Sequence, residues 1–267
     1  MKKILFYTIN QNIVDQALVS LNSFVSNNSG YAIKLFCFDF SEKNKNCIKS
    51  KIEQYFNNVE IIFSTSKNTE KVPGRFKKIQ GLLNKKFELI YELRKEYDIV
   101  VYSDPDVIFR KNIVDIENYV SKDPGFYAQT ENNFVEGWVK VVKRLLNLKK
   151  YFNCGFLVCN SEIKNFSLEE YENVSKILNT LNFCPEQNYM NYYYDIKELK
   201  PEHCYLWVNK LELDPFVVHF FSFYKPWQTE SLKYAPSRFY LNITKFYKDF
   251  RKYASFKQWN NVHIMIQ

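Results

Sequence analysis

With 267 residues, the chain has room for one large α/β domain or two small ones. Hydrophobic residues make up 46% of it, enough for a sizeable core, and the net charge of +8 favours an anionic partner without choosing among nucleotide, nucleic acid and acidic membrane. No C-x-x-C pair occurs among the cysteines, which argues against zinc ribbons and thiol redox motifs, and no apolar run reaches the ~20 residues of a membrane span.

In chain order, Ile4 to Ile9 predicts a buried strand. Met1-Lys2-Lys3 before it mimics a leader, but Asn10-Gln11-Asn12 ends the run without a cleavage pattern. Ile13, Val14, Ala17, Leu18, Leu21, Phe24 and Val25 recur at helical spacing, and Asn27-Asn28-Ser29-Gly30 stops that helix. Ile33 to Phe40 is a second strand, Ile48, Ile52, Tyr55 and Phe56 mark a second helix, and Val59 to Phe63 is a third strand. This rhythm predicts an α/β fold with a mostly parallel sheet and helices on both faces. After a polar loop, Ser64 to Gly74, a helix runs from Ile79 to Glu96.

Next comes Asp98-Ile99-Val100-Val101-Tyr102-Ser103-Asp104-Pro105-Asp106, an apolar strand ending in two carboxylates. Asp104 and Asp106 repel each other, so a cation sits between them, one is protonated, or both are solvated. The strand end is also where an open α/β sheet places its ligands. Glu131 to Lys150 reads as a charged, irregular or helical insert. In Phe152 to Asn160 a strand pattern contains Gly155, which marks either a bulge or a close ligand approach. Leu168 to Leu181 predicts an amphipathic helix. Pro185 stands at a helix start, where Glu186 and Gln187 serve as its first turn or face a sugar hydroxyl. Phe216 to Phe220 is a further strand, with His219 as either a core histidine or a metal ligand. After Trp227 the chain turns basic and aromatic, with Phe246, Tyr247, Phe250, Tyr253 and Phe256 near helical spacing. That tail lies on an anionic membrane or packs on the domain with a solvated basic face.

Each motif alone is weak. Taken in order, Tyr102-Ser103-Asp104-Pro105-Asp106, Phe152-Asn153-Cys154-Gly155-Phe156, Glu186-Gln187 and His219 to Lys225-Pro226-Trp227 resemble glycosyltransferase family 8. This is the family of glycogenin and of bacterial lipopolysaccharide galactosyltransferases. The plant-type family 77 shares a similar acid strand and Asn-x-Gly strand. The resemblance runs from Ile4 to about Trp227.

The resemblance implies a GT-A, Rossmann-like domain over residues 1–227, followed by the tail, 228–267. Its nucleotide-binding part would be about 1–110 and its acceptor side about 111–227. It implies a metal-dependent, retaining transferase that moves a hexose from a UDP-sugar to a glycan or lipid-linked acceptor in surface polysaccharide or glycoconjugate synthesis. Mn²⁺ or Mg²⁺ would be held by Asp104, Asp106 and His219. The nucleotide sugar would meet Tyr7, Thr8, Asn10, Lys86 (or Lys85), Ser103, Asp104, Gly155, Lys225 and Trp227, with Asn153, Glu186 and Gln187 at the reacting sugar. The sequence departs from the family pattern at Ser222, where a glycine is usual, at Glu186, where an aspartate is usual, and at Ile9-Asn10, where an acid is usual. The expected location is cytoplasmic, free or peripheral on the inner membrane face through 228–267. Nucleic acid is not an expected partner, because acids at the site would repel phosphate unless a metal is present. A nucleic-acid-binding module, or a non-catalytic relative of the fold, is the alternative reading.

Overall fold

The computed structural model describes residues 1–65, 77–131, 136–182, 184–206, 214–220 and 248–254. Strands β1 (Lys3–Asn10), β2 (Ala32–Phe38) and β3 (Val59–Ser64) alternate with helices α1 (Val14–Asn27) and α2 (Glu42–Tyr55). Then follow α3 (Lys77–Leu93), β4 (Ile99–Ser103), β5 (Val107–Phe109), α4 (Val114–Ser121), β6 (Phe126–Thr130), α5 (Glu136–Leu145) and β7 (Phe152–Cys159). The chain continues through α6 (Leu168–Leu178), α7 (Pro185–Tyr193), β8 (Ile196–Leu199), β9 (Cys204–Leu206) and β10 (Val217–His219).

The main sheet has seven strands in the order β3-β2-β1-β4-β7-β6-β8. The expected parallel pairing holds across β3, β2, β1 and β4 and between β6 and β8, whereas β7 runs antiparallel to both its neighbours. Every residue of β4 and β7 is buried, so neither strand shows the alternation that would betray its direction. One face of the sheet packs Leu5, Tyr7 and Ile9 with Leu18 and Leu21 of α1. The other packs Phe6 and Tyr102 with Phe87 and Ile90 of α3 and Tyr189 of α7.

A second sheet of three strands, β5-β10-β9, sits beyond the end of β4. Its anchor is α1, where the Ser23 hydroxyl accepts from the Phe109 backbone N–H at 2.9 Å. Antiparallel pairing sets His219 opposite Val107, the residue after Asp106.

The predicted helix Leu168 to Leu181 ends early. It stops at Leu178 and closes in a 3₁₀ turn, Asn179–Leu181, because Asn179 takes φ 45°. In the tail, residues 248–254 are helical and fold back on the domain. Phe250 and Tyr253 are buried, and Arg110 Nε donates to Asp249 at 2.6 Å. The buried Asn22 side chain of α1 donates to the Tyr253 carbonyl at 2.9 Å. Two aromatics of the tail stripe thus face the core, leaving Lys248, Arg251 and Lys252 outward. Phe246, Tyr247 and Phe256 lie outside the described residues.

Candidate active site

The site is built where the two sheets meet. β4 delivers Asp104 and Asp106 at its carboxyl end, and β10 returns the buried His219 to them. His219 Nε2 lies 3.1 Å from Asp106 Oδ1 and 3.9 Å from Asp104 Oδ2. Ligand atoms from all three residues fall within 4.8 Å of one another. Octahedral ligands at ~2.1 Å from a metal stand about 3 Å apart when adjacent and about 4.2 Å apart when opposite. Two carboxylates and an imidazole are also the donor types that Mn²⁺ accepts, so the trio fits a divalent cation.

Gly155 makes room for the histidine. A Cβ there would come within 2.1 Å of His219 Cε1 and 2.5 Å of Nε2. The Gly155 carbonyl accepts from the Asp104 backbone N–H at 2.7 Å, so β7 also steadies the first acid. Both sequence readings of the glycine hold: the register of β7 against β6 shifts between Phe152 and Leu157, and within that irregular stretch Gly155 leaves the space an imidazole needs.

Beside the acids lies a fully buried lysine. Lys86 of α3 donates from Nζ to the Cys154 carbonyl at 3.1 Å and approaches Cys154 Sγ at 3.1 Å. Burial opposes its charge, but Cys154, Tyr102, Asp104 and Glu186 outweigh that and raise its pKa. Tyr102 donates its hydroxyl to Asp104 and is held well above the usual phenol range, chiefly by burial and then by that carboxylate. Lys85 is instead paired with Glu88 of the same helix. Glu186 Oε2 is buried with no hydrogen-bond partner among the described residues, and burial raises the carboxyl's pKa.

Gln187 and Asn153 converge on Glu131. The Glu131 carboxylate accepts from Gln187 Nε2 at 2.7 Å and from Asn153 Nδ2 at 3.2 Å. Both amides are held at their other end, Gln187 by the Cys154 N–H at 3.3 Å and Asn153 by the Gly155 N–H at 2.9 Å. The motifs of the sequence mark Glu131 only as the start of an insert. The signal that could have found it is the one that found Asp104, an acid directly after a buried strand, here Phe126–Thr130.

Two expected ligand contacts are corrected. Neighbouring residues of a strand face opposite ways. Thr8 turns to the site and meets the Tyr102 hydroxyl at 3.2 Å, so Tyr7 turns away, buried and bonded to Ser20 of α1 at 3.0 Å. Ser103 alternates with Asp104 in the same manner. It is buried on the Tyr7 side, and its hydroxyl donates to the Asp104 carbonyl at 3.0 Å. Asn10 ends β1 and accepts from the Asn12 N–H at 2.9 Å. Lys225 and Trp227 lie outside the described residues.

Burial raises the Glu131 pKa, although Gln187, Asn153 and His219 work the other way. The native state thus holds this proton more tightly than the unfolded chain. Its contribution is present in full below the unfolded pKa and is lost as pH rises through the native one. Glu131→Gln, which keeps an acceptor oxygen, is expected to raise the melting temperature more at pH 8 than at pH 4.5. Thermal unfolding at both values checks this, and equal shifts would mean that no buried charge is removed.

The family model described as glycosyl transferase family 8 matches residues 4–231. No curated protein matches the chain by sequence. An active-site Gln-to-Glu mutant of LgtC is 16% identical, with a TM-score of 0.68, covering 96% of this chain and 98% of that one. The galactosyltransferase LgtC in complex with donor and acceptor sugar analogues is 14% identical, with a TM-score of 0.67 over 97% and 99%. Mouse xyloside xylosyltransferase 1 is 10% identical, with a TM-score of 0.58 over 82% of this chain and 97% of that one. At such identities the structures speak for the GT-A fold alone, while the family match spans every element of both sheets. On that ground the chain is a glycosyltransferase and belongs to glycosyl transferase family 8.

Proposed function

We propose that this glycosyltransferase moves a hexose from a UDP-sugar to a glycan or lipid-linked acceptor, with retention at the anomeric carbon, in surface polysaccharide or glycoconjugate synthesis. The observation that carries the reading is the convergence of Asp104, Asp106 and His219 on one ligand sphere beside the buried Lys86 ammonium. A divalent cation, Mn²⁺ or Mg²⁺, would neutralise the departing diphosphate there. Acids alone would repel that group, so the donor is read as metal-bound.

The chain's own residues do the positioning. Thr8 and Asn10, at the end of β1, are assigned to the nucleoside, and Lys225 and Trp227 to the diphosphate side. Glu186 Oε2, lacking a partner among the described residues, is assigned to a donor-sugar hydroxyl. Gln187 and Asn153 are clamped at both ends, so their amides are preorganised beside the reacting carbon and lose little entropy during reaction. An amide is a poor nucleophile, which favours a front-face route. In it the acceptor hydroxyl attacks on the side from which UDP leaves and gives its proton to a phosphate oxygen. Residues about 1–110 are assigned to nucleotide binding and about 111–227 to the acceptor side. A cytoplasmic location, free or peripheral, suits such a donor. No helix among the described residues is long and apolar enough to cross a membrane.

A thermal-shift screen of nucleotide sugars with and without Mn²⁺ tests donor and metal together. A matching donor at about 100 times its dissociation constant stabilises by about 2.7 kcal/mol, a shift of roughly 5–10 °C. The shift is expected only with UDP-sugar and Mn²⁺ together; the same shift in chelator would overturn the metal's role.

A further inference from the structure

Helix α5 is two-sided in an unusual sense. Val139, Val142 and Leu146 at its end bury against Tyr151 and against Val174 and Leu178 of α6. Its other face also carries aliphatic side chains. Val141 is 42% exposed and Leu145, one turn on, is 44% exposed. Exposed Lys140 and Arg144 flank them. The run from Gly137 to Tyr151 contains Lys140, Lys143, Arg144, Lys149 and Lys150 and no acid.

We infer that this outer face of α5 is where the enzyme rests on an anionic membrane surface. An aliphatic ridge bordered along one edge by basic side chains is the chemistry that enters a headgroup layer: Val141 and Leu145 reach the acyl boundary while the cations meet acidic headgroups. A second copy of the chain is a poor occupant, because an isologous contact would set this basic run against itself. The helix also stands next to the site. Trp138 Nε1 donates to the Leu181 carbonyl at 2.8 Å, and its ring meets Tyr151 edge-on at 5.8 Å. The Tyr151 hydroxyl in turn donates to Asn188 at 2.6 Å, one residue after Gln187. The inference rests on the lipid-linked branch of the acceptor proposed above and gives that branch a surface other than the tail.

Co-sedimentation of the full chain with vesicles tests it, using phosphatidylcholine alone and phosphatidylcholine with phosphatidylglycerol. Binding is expected only to the anionic vesicles, and removing one basic side chain from the docked face weakens it by about five-fold. Val141→Asn/Leu145→Asn is expected to bind at least tenfold more weakly, and Lys140→Glu/Arg144→Glu likewise. Arg251→Glu/Lys252→Glu, on the outward tail face, is expected to bind as the wild type does. Wild-type binding by both α5 variants, or no binding of the wild type to anionic vesicles, would overturn the inference. The thermal shift with UDP-sugar and Mn²⁺ is expected to be unchanged in the α5 variants. Failure of the donor reading would show there, in the wild type, without touching the vesicle result.

Discussion

Gly155→Ala is expected to disable the proposed metal site. The added Cβ would lie 2.1 Å from His219 Cε1, 2.5 Å from Nε2 and 2.7 Å from Nδ1. Neither partner can step aside cheaply. Gly155 sits in the irregular stretch of β7 beside the end of β4, with its carbonyl bonded to the Asp104 N–H and its N–H to Asn153. His219 is buried in β10 between β5 and β9. Overpacking of this kind costs about 1–3 kcal/mol. The imidazole is displaced from Asp106, and metal affinity and turnover are expected to fall by about 100-fold or more, at the upper end of what disturbing the surroundings of a metal site costs. Calorimetric Mn²⁺ titration and initial rates measure both. The double variant Gly155→Ala/His219→Ala should recover stability, since the clash is gone, yet not metal binding. Wild-type Mn²⁺ affinity in Gly155→Ala would show that His219 is not the group the glycine accommodates.

Asp106→Asn separates charge from shape. The amide is nearly isosteric, and the backbone carbonyl of residue 106 still accepts from the Phe220 N–H at 2.9 Å, so the junction of the two sheets survives. One of the two proposed anionic ligands is lost, however, and with it charge that would hold a cation against Asp104. Turnover is expected to drop by roughly 1,000-fold, the scale of removing one preorganised electrostatic contact at the reacting centre. Stabilisation by Mn²⁺ should vanish in the same variant. Undiminished turnover of Asp106→Asn with chelator present would end the metal reading.

Much of this site was legible in the chain. Ile99 to Ser103 reads as a buried strand because its residues are apolar without interruption, and the acids beyond it are conspicuous for following such a run. Pro185 marks the start of α7 because it lacks the N–H a helix start leaves idle, so Glu186 and Gln187 are placed correctly on its first turn. Tyr7 and Ser103 were misplaced for an equally local reason. A motif assigns neighbouring residues to one ligand, whereas a strand's alternation can give the ligand only one of each pair. Glu131 was missed because a short strand of Phe, Tyr, Ala, Gln and Thr carries little apolar contrast.

The sequence by itself determined the local elements and the family. Hydrophobic periodicity, caps and short motifs depend on residues within a turn or a strand of each other. Only the tertiary structure decided that β7 runs backwards beside β4, which puts Gly155 level with the acids. It alone paired β5 with β10, bringing His219 from the far end of the domain to Asp106, and set Glu131 between Gln187 and Asn153. Those contacts join segments distant in the chain, and strand pairing and shape complementarity, which no local pattern encodes, select them.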